Sequence, residues 1–141
     1  ADTLPIFSHL QTYQGHPASC AASLATIDYI EKNDLINKGK ENGAYFLANM
    51  QRLMDLSIVG DVRGLGMWTC VDFTSDKKTK AAFTDDTVKK IVHRARNMGV
   101  LVGEEGTAIE LAPPYIATKE QLDLCIDVLE KAIKEQIVEL A

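Results

Sequence analysis

The chain has 141 residues, 46% of them hydrophobic and 25% charged, the balance of one ordinary globular domain able to bury roughly 70% of its unfolded surface. Fifteen basic against 20 acidic side chains leave a net charge of −5, which argues against a phosphate-backbone partner; Lys77, Lys78 and Lys80, the one dense basic cluster, read as a solvated loop. No apolar run approaches the ~20 residues of a membrane helix, and the first residues lack the basic and apolar blocks of a signal peptide.

Residues 1–16 read as an extended leading segment of a single domain covering 1–141, with Ile6 and Phe7 as apolar anchors. Pro17 suits the first position of a helix, where no N–H is needed. The spacing predicts that helix over 17–32, with Ala18, Ala21, Ala22 and Ala25 as a stripe of small side chains and Leu24, Ile27 and Ile30 beside it. A second helix is predicted over 34–55. Asp34 is its expected N-cap, and Phe46, Leu47, Met50, Leu53 and Met54 form its apolar face. Gly39 and Gly43 cost that helix ~1 kcal/mol each relative to alanine, so they are read as points of close packing.

Residues 57–66, with three glycines, predict a short strand and turn, and 67–73 (MWTCVDF) a second strand by period-two alternation. In it Trp68 is expected in the core. A polar loop over 75–82 leads to a helix over 84–98, ended by Gly99. Val100-Leu101-Val102 and Ala108–Leu111 are expected to be two strands joined by residues 103–107. The last helix begins with a capping box of Thr118 and Gln121 and carries Leu122, Cys125, Ile126, Leu129, Ala132 and Ile133 on one stripe. Mixed helices and closely spaced strands predict an α+β fold, a small, mainly antiparallel sheet covered by helices on one face.

Chemistry read from residue types alone is sparse. Cys20, Cys70 and Cys125 have neither an even count nor a CxxC pair, and with His9, His16 and His93 they show no zinc spacing. Reduced thiols in a cytoplasmic protein, without a metal, are expected. His16 reads as a packing residue that bonds to backbone, Asp61 and Arg63 as a structural ion pair, and Glu104 and Glu105 as solvated. The glycines at 60, 64 and 66 do not form a dinucleotide fingerprint. Thr12 lies just before Gly15 and a helix N-terminus, a setting that favours anions, although a turn threonine bonded to its own backbone is the commoner occupant.

The stretch from His9 to Ala22 (HLQTYQGHPASCAA) resembles the HGxTYSGHPxxCAAA segment of class III pyridoxal-phosphate aminotransferases. Gly60–Met67 is similar to that family's GDVRGxGLM block, Asn97–Val102 to its xxGLLV strand, and Leu111–Ile116 to its LxPPLIIT segment. The likeness spans residues 7–137 in the family's order. It implies the C-terminal small domain of a fold type I enzyme that works as a homodimer, with the cofactor-bearing lysine upstream of Ala1. No residue of this chain is then catalytic, and the isolated 141 residues are expected to be inactive. Thr12 matches the threonine that reaches the phosphate of the partner subunit's pyridoxal phosphate.

Leu10 and Gln14 depart from the family pattern. So does Glu110, where many members carry an arginine that clamps a substrate carboxylate. Other members draw an arginine from the preceding loop, where Gly103 and Glu104 stand. The resemblance therefore implies amino transfer to an oxo acid such as pyruvate from an amine, sulfonate or omega-amino donor. The alternative is a non-catalytic binding or regulatory module of the same fold.

Overall fold

The computed structural model describes residues 11–84 and 86–141. Ile6, Phe7, His9 and Leu10, with most of the expected leading segment, lie outside them. The chain divides into two compact units, Ala1–Asp34 and Leu35–Ala141.

In the first unit, α1 runs from Pro17 to Lys32 and has Pro17 in its first turn as expected. His16 is the N-cap, and its Nδ1 accepts from the Ser19 N–H at 3.4 Å. None of the residues of α1 is buried. Asp34, the expected N-cap, directly precedes α2 (Leu35–Met50). That residue is left-handed, with φ +50, a region aspartate tolerates better than most residues. Its N–H donates back to the Glu31 carbonyl at 3.2 Å.

The second unit holds α2 (Leu35–Met50), β1 (Val59–Leu65), β2 (Trp68–Phe73), α3 (Thr87–Asn97), β3 (Gly103–Glu105), β4 (Ala108–Leu111) and α4 (Lys119–Leu140). The four strands form one antiparallel sheet in the order β1-β2-β4-β3, the α+β architecture expected. The predicted helix over 34–55 is α-helical only as far as Met50. It then tightens into a 3₁₀ turn over Gln51–Asp55, a common way to end a helix. This turn buries Leu53, and Gln51 Nε2 donates to the Val62 carbonyl at 3.1 Å. The third helix starts at Thr87 rather than 84.

Alternation along the strands sets the two faces of the sheet. Val62, Thr69, Val71, Phe73, Ile109 and Leu111 are buried, and most of them join Phe46, Met50, Ile91, Leu122, Ile126, Leu129 and Ile133 of the helices in one core. Each such large side chain contributes ~1.5–3 kcal/mol of hydrophobic stabilisation when buried. The capping box of α4 is complete: Thr118 Oγ1 accepts from Gln121 N–H, and Gln121 Oε1 accepts from Thr118 N–H at 3.0 Å. Tyr45 of α2 donates to Asp123 of α4 at 2.8 Å, with Lys119 Nζ 5.0 Å from the centre of its ring. Arg94 of α3 reaches Gln136 and Glu139 of α4.

Two strand expectations need correction. Val100–Val102 is not a strand. Gly99 (φ +92) reverses the chain, the Val100 N–H returns to the Ala95 carbonyl at 3.0 Å, and Val100 is buried. Pairing with β4 begins only at Gly103, because Glu105 faces Ala108 across a two-residue loop. The valines signalled burial rather than pairing. Trp68 is not in the core but 63% exposed. It shares strand parity with Cys70 and Asp72, whereas Thr69, Val71 and Phe73 face the helices.

The glycines of α2 are close-packing points, as read. A Cβ on Gly43 would lie 2.3 Å from the Gly66 carbonyl, and one on Gly39 would lie 3.0 Å from the Tyr115 ring.

Candidate functional site: an anion-facing turn and an open sheet face

Thr12 lies in a turn closed by the Gln14 N–H to the Gln11 carbonyl (3.1 Å) and the His16 N–H to the Tyr13 carbonyl (3.2 Å). Gly15 takes φ +75 there, which strains any residue with a side chain. The Thr12 side chain is exposed, and its hydroxyl has no hydrogen-bond partner among the described residues. His16 occupies the cap, with Nδ1 3.0 Å from Ser19 Oγ, so its role is the local backbone one expected. The first turn of α1 contains no acidic side chain to compete with an anion. A hydroxyl donor ahead of a helix N-terminus thus fits the phosphate of a cofactor in chemistry.

The second feature is the sheet face opposite the helices. A row of residues crosses all four strands there: Arg63 pairs with Cys70, Cys70 with Glu110, and Glu110 with Gly103. Position 110, where the family resemblance seats a carboxylate-clamping arginine, is therefore a direct cross-strand neighbour of Gly103, which with Glu104 stands in the region of the alternative arginine. Here positions 110 and 103 hold a carboxylate and no side chain at all. Next to that row, Asp61 pairs with Asp72, and Asp72 with Ala108.

The expected Asp61–Arg63 ion pair forms at 2.9 Å, and Asp72 joins it at 3.2 Å. Thr107 Oγ1 donates to Asp72 at 2.8 Å. Sequence reasoning missed Asp72 and Thr107; their only signal was the strand parity that places Asp72 beside Asp61. These groups line a polar hollow of about 580 Å³ together with Lys77 and Lys80. Burial pushes the Cys70 thiol above its ordinary value, with Arg63 pulling the other way and Asp72, Glu110 and Asp61 reinforcing the rise. Cys70 thus stays a neutral thiol.

At the end of the sheet an apolar groove of about 640 Å³ is lined by Leu65, Trp68, Pro113, Pro114 and Tyr115, with Gly39 at its base. Asn42 Nδ2 donates to the carbonyls of Tyr115 (3.4 Å) and Ala117 (3.0 Å), which fixes the Pro-Pro loop against α2. Among the described residues no His, Cys, Asp and Glu side chains gather as a metal site, and no helix is long and apolar enough to cross a membrane.

Residues 1–133 match the aminotransferase class-III family. Relatives include an uncharacterised aminotransferase, y4uB, of Sinorhizobium fredii, 36% identical over 99% of this chain and 31% of its own length. A leucine/methionine racemase of Thermococcus litoralis is 35% identical over 95% of this chain and 30% of its own. Among solved structures, an (S)-enantioselective omega-transaminase from Thermomicrobium roseum superposes with a TM-score of 0.86 at 30% identity, over 94% of this chain and 30% of that one. A PLP-bound amine transaminase from an uncultivated Pseudomonas species gives 0.86 at 36% identity, over 92% and 30%. The chain spans about 30% of the length of these relatives. It belongs to the class-III aminotransferase family.

Proposed function

We propose that this chain is the small-domain part of a pyridoxal-phosphate-dependent transaminase that moves an amino group from an amine or omega-amino donor to an oxo acid such as pyruvate. The protein works as a homodimer in the cytoplasm. The observation that carries this reading is the family match over residues 1–133. The likeness to an amine transaminase and an omega-transaminase supports the donor class, and three free cysteines fit a reducing compartment.

Pyridoxal phosphate, when bound, supplies the electron sink for amino transfer. This chain's residues bind and shape. The Thr12 hydroxyl donates to the phosphate of the partner subunit's cofactor, and the His16 cap and Gly15 hold its turn. Gly103 and Glu110 line the substrate side without a cation, so a donor carboxylate finds no clamp at these positions. None of the residues here takes the proton shuttled in the reaction; that task falls to the cofactor-bearing lysine elsewhere in the whole protein.

The test is product analysis of the full-length protein with pyruvate and a panel of amine donors. The reading expects alanine and the donor's carbonyl product in equal amounts. No amino transfer to pyruvate or any other oxo acid would reject it.

A further inference from the structure

We propose that the polar hollow beside Arg63 is a binding site for a small zwitterion, a free amino acid, with its carboxylate on Lys77 and Lys80 and its ammonium group on Asp61. The proposal stands apart from the transaminase reading.

The hollow, of about 580 Å³, lies within the unit Leu35–Ala141. Its charged groups come from two places. The sheet supplies Asp61 and Arg63 of β1 and Asp72 of β2. Arg63 is held by Asp61 at 2.9 Å and by Asp72 at 3.2 Å, and Thr107 Oγ1 donates to the other Asp72 oxygen at 2.8 Å. One guanidinium against two carboxylates leaves the sheet side one negative charge in excess. Asp61 meets Arg63 through Oδ2 alone, so its Oδ1 is open to an N–H donor. The loop after β2 supplies Lys77 and Lys80. Neither lysine has an ion-pair partner among the described residues.

That loop is built, not merely solvated. Thr74, only 5% exposed, donates its Oγ1 proton to the Ala81 carbonyl at 2.6 Å. The Ser75 N–H reaches the same carbonyl at 2.9 Å, and the Lys80 N–H reaches the Asp76 carbonyl at 2.8 Å. Lys80 takes φ +57 to close the loop, a conformation uncommon outside glycine. Lys77 Nζ donates to the Met54 carbonyl at 2.6 Å, which anchors the ammonium group and leaves it further N–H donors. A site ordered in advance spends less of its binding energy on ordering.

The arrangement sorts ligands by charge. A metal cation drawn to Asp61 and Asp72 meets two ammonium groups. A phosphate or a simple carboxylate drawn to the lysines meets the excess negative charge of the sheet side. A zwitterion satisfies both, and the repulsive half of the site excludes singly charged competitors. The volume falls in the ~300–1,000 Å³ range of small-molecule sites.

The experiment titrates the full-length protein by isothermal calorimetry at pH 7 with L-proline, cyclopentanecarboxylate and pyrrolidine. The three share one five-membered ring and carry both charges, the negative one and the positive one. Proline, a secondary amine, is no donor for amino transfer, so the readout is binding alone. Wild type is expected to bind proline saturably and about 10-fold more tightly than either singly charged ring, the effect of one charge-assisted contact. Lys80→Asn removes a charge while keeping a residue that tolerates left-handed φ, and should weaken proline about 10-fold. Asp61→Asn should weaken proline by a similar factor yet tighten cyclopentanecarboxylate, a gain that structural damage cannot produce. No saturable heat with proline in wild type would overturn the proposal. So would cyclopentanecarboxylate binding as tightly as proline, or a proline affinity unchanged in either variant.

Discussion

The segment around α1 and the unit Leu35–Ala141 were both readable as secondary structure, yet they are held in opposite ways. α1 is set by local signals: Pro17 in its first turn, a His16 cap, and alanines along its length. It buries none of its residues, and Leu24, Ile27 and Tyr29 remain exposed. A helix of 16 residues held by local terms alone is marginal in water. The second unit draws its stability from one continuous core in which Phe46, Met50, Leu53, Ile109 and Ile126 have no exposed surface. The difference teaches that a clear helical pattern reports conformation, whereas burial reports stability.

The sharpest way to break that comparison is a pair of truncations. Phe46→Ala empties a fully buried aromatic site and is expected to cost about 3–5 kcal/mol, read from chemical denaturation. Leu24→Ala on α1, at a residue 66% exposed, should stay within about 0.5 kcal/mol. Similar losses from both would mean that α1 shares the stability of the core.

A smaller effect concerns how the second unit responds to acid. Lys90, first, and Arg94 hold the Glu139 carboxyl below its ordinary 4.5. A carboxylate depressed in the folded state contributes stability that is present above its unfolded value and lost as pH falls through the folded one. Glu139→Gln should therefore lower the denaturation midpoint at pH 7, and the gap to wild type should close below pH 4.5. A gap of constant size from pH 7 to pH 3 would remove Glu139 from the acid response.

Much of this architecture was legible in the chain because its signals are local. The Thr118–Gln121 box, the stripe of α4 and the glycine at 99 specify their elements within a few residues. The close approach at Gly43 was legible as the cost of a glycine inside a helix, though not its partner Gly66. What was not legible depended on register. Which face Trp68 takes is decided by the parity of β2 against its neighbours, and the start of β3 is decided by the two-residue loop before Ala108. Asp72 and Thr107 join Arg63 only because β2 lies between β1 and β4. The juxtaposition of Gly103 and Glu110 is likewise a product of pairing, since the two are seven positions apart in sequence.

At the candidate site, the Thr12 turn could be read from its motif, and its exposed hydroxyl agrees with a role that needs a ligand. The measurement that tests this account most directly is the dissociation constant of pyridoxal phosphate from the full-length protein, by equilibrium dialysis, for wild type and Thr12→Ala. One lost hydroxyl-to-phosphate bond should weaken binding roughly 10- to 100-fold, and Thr12→Ser should restore most of it. An unaltered constant in Thr12→Ala would contradict the account.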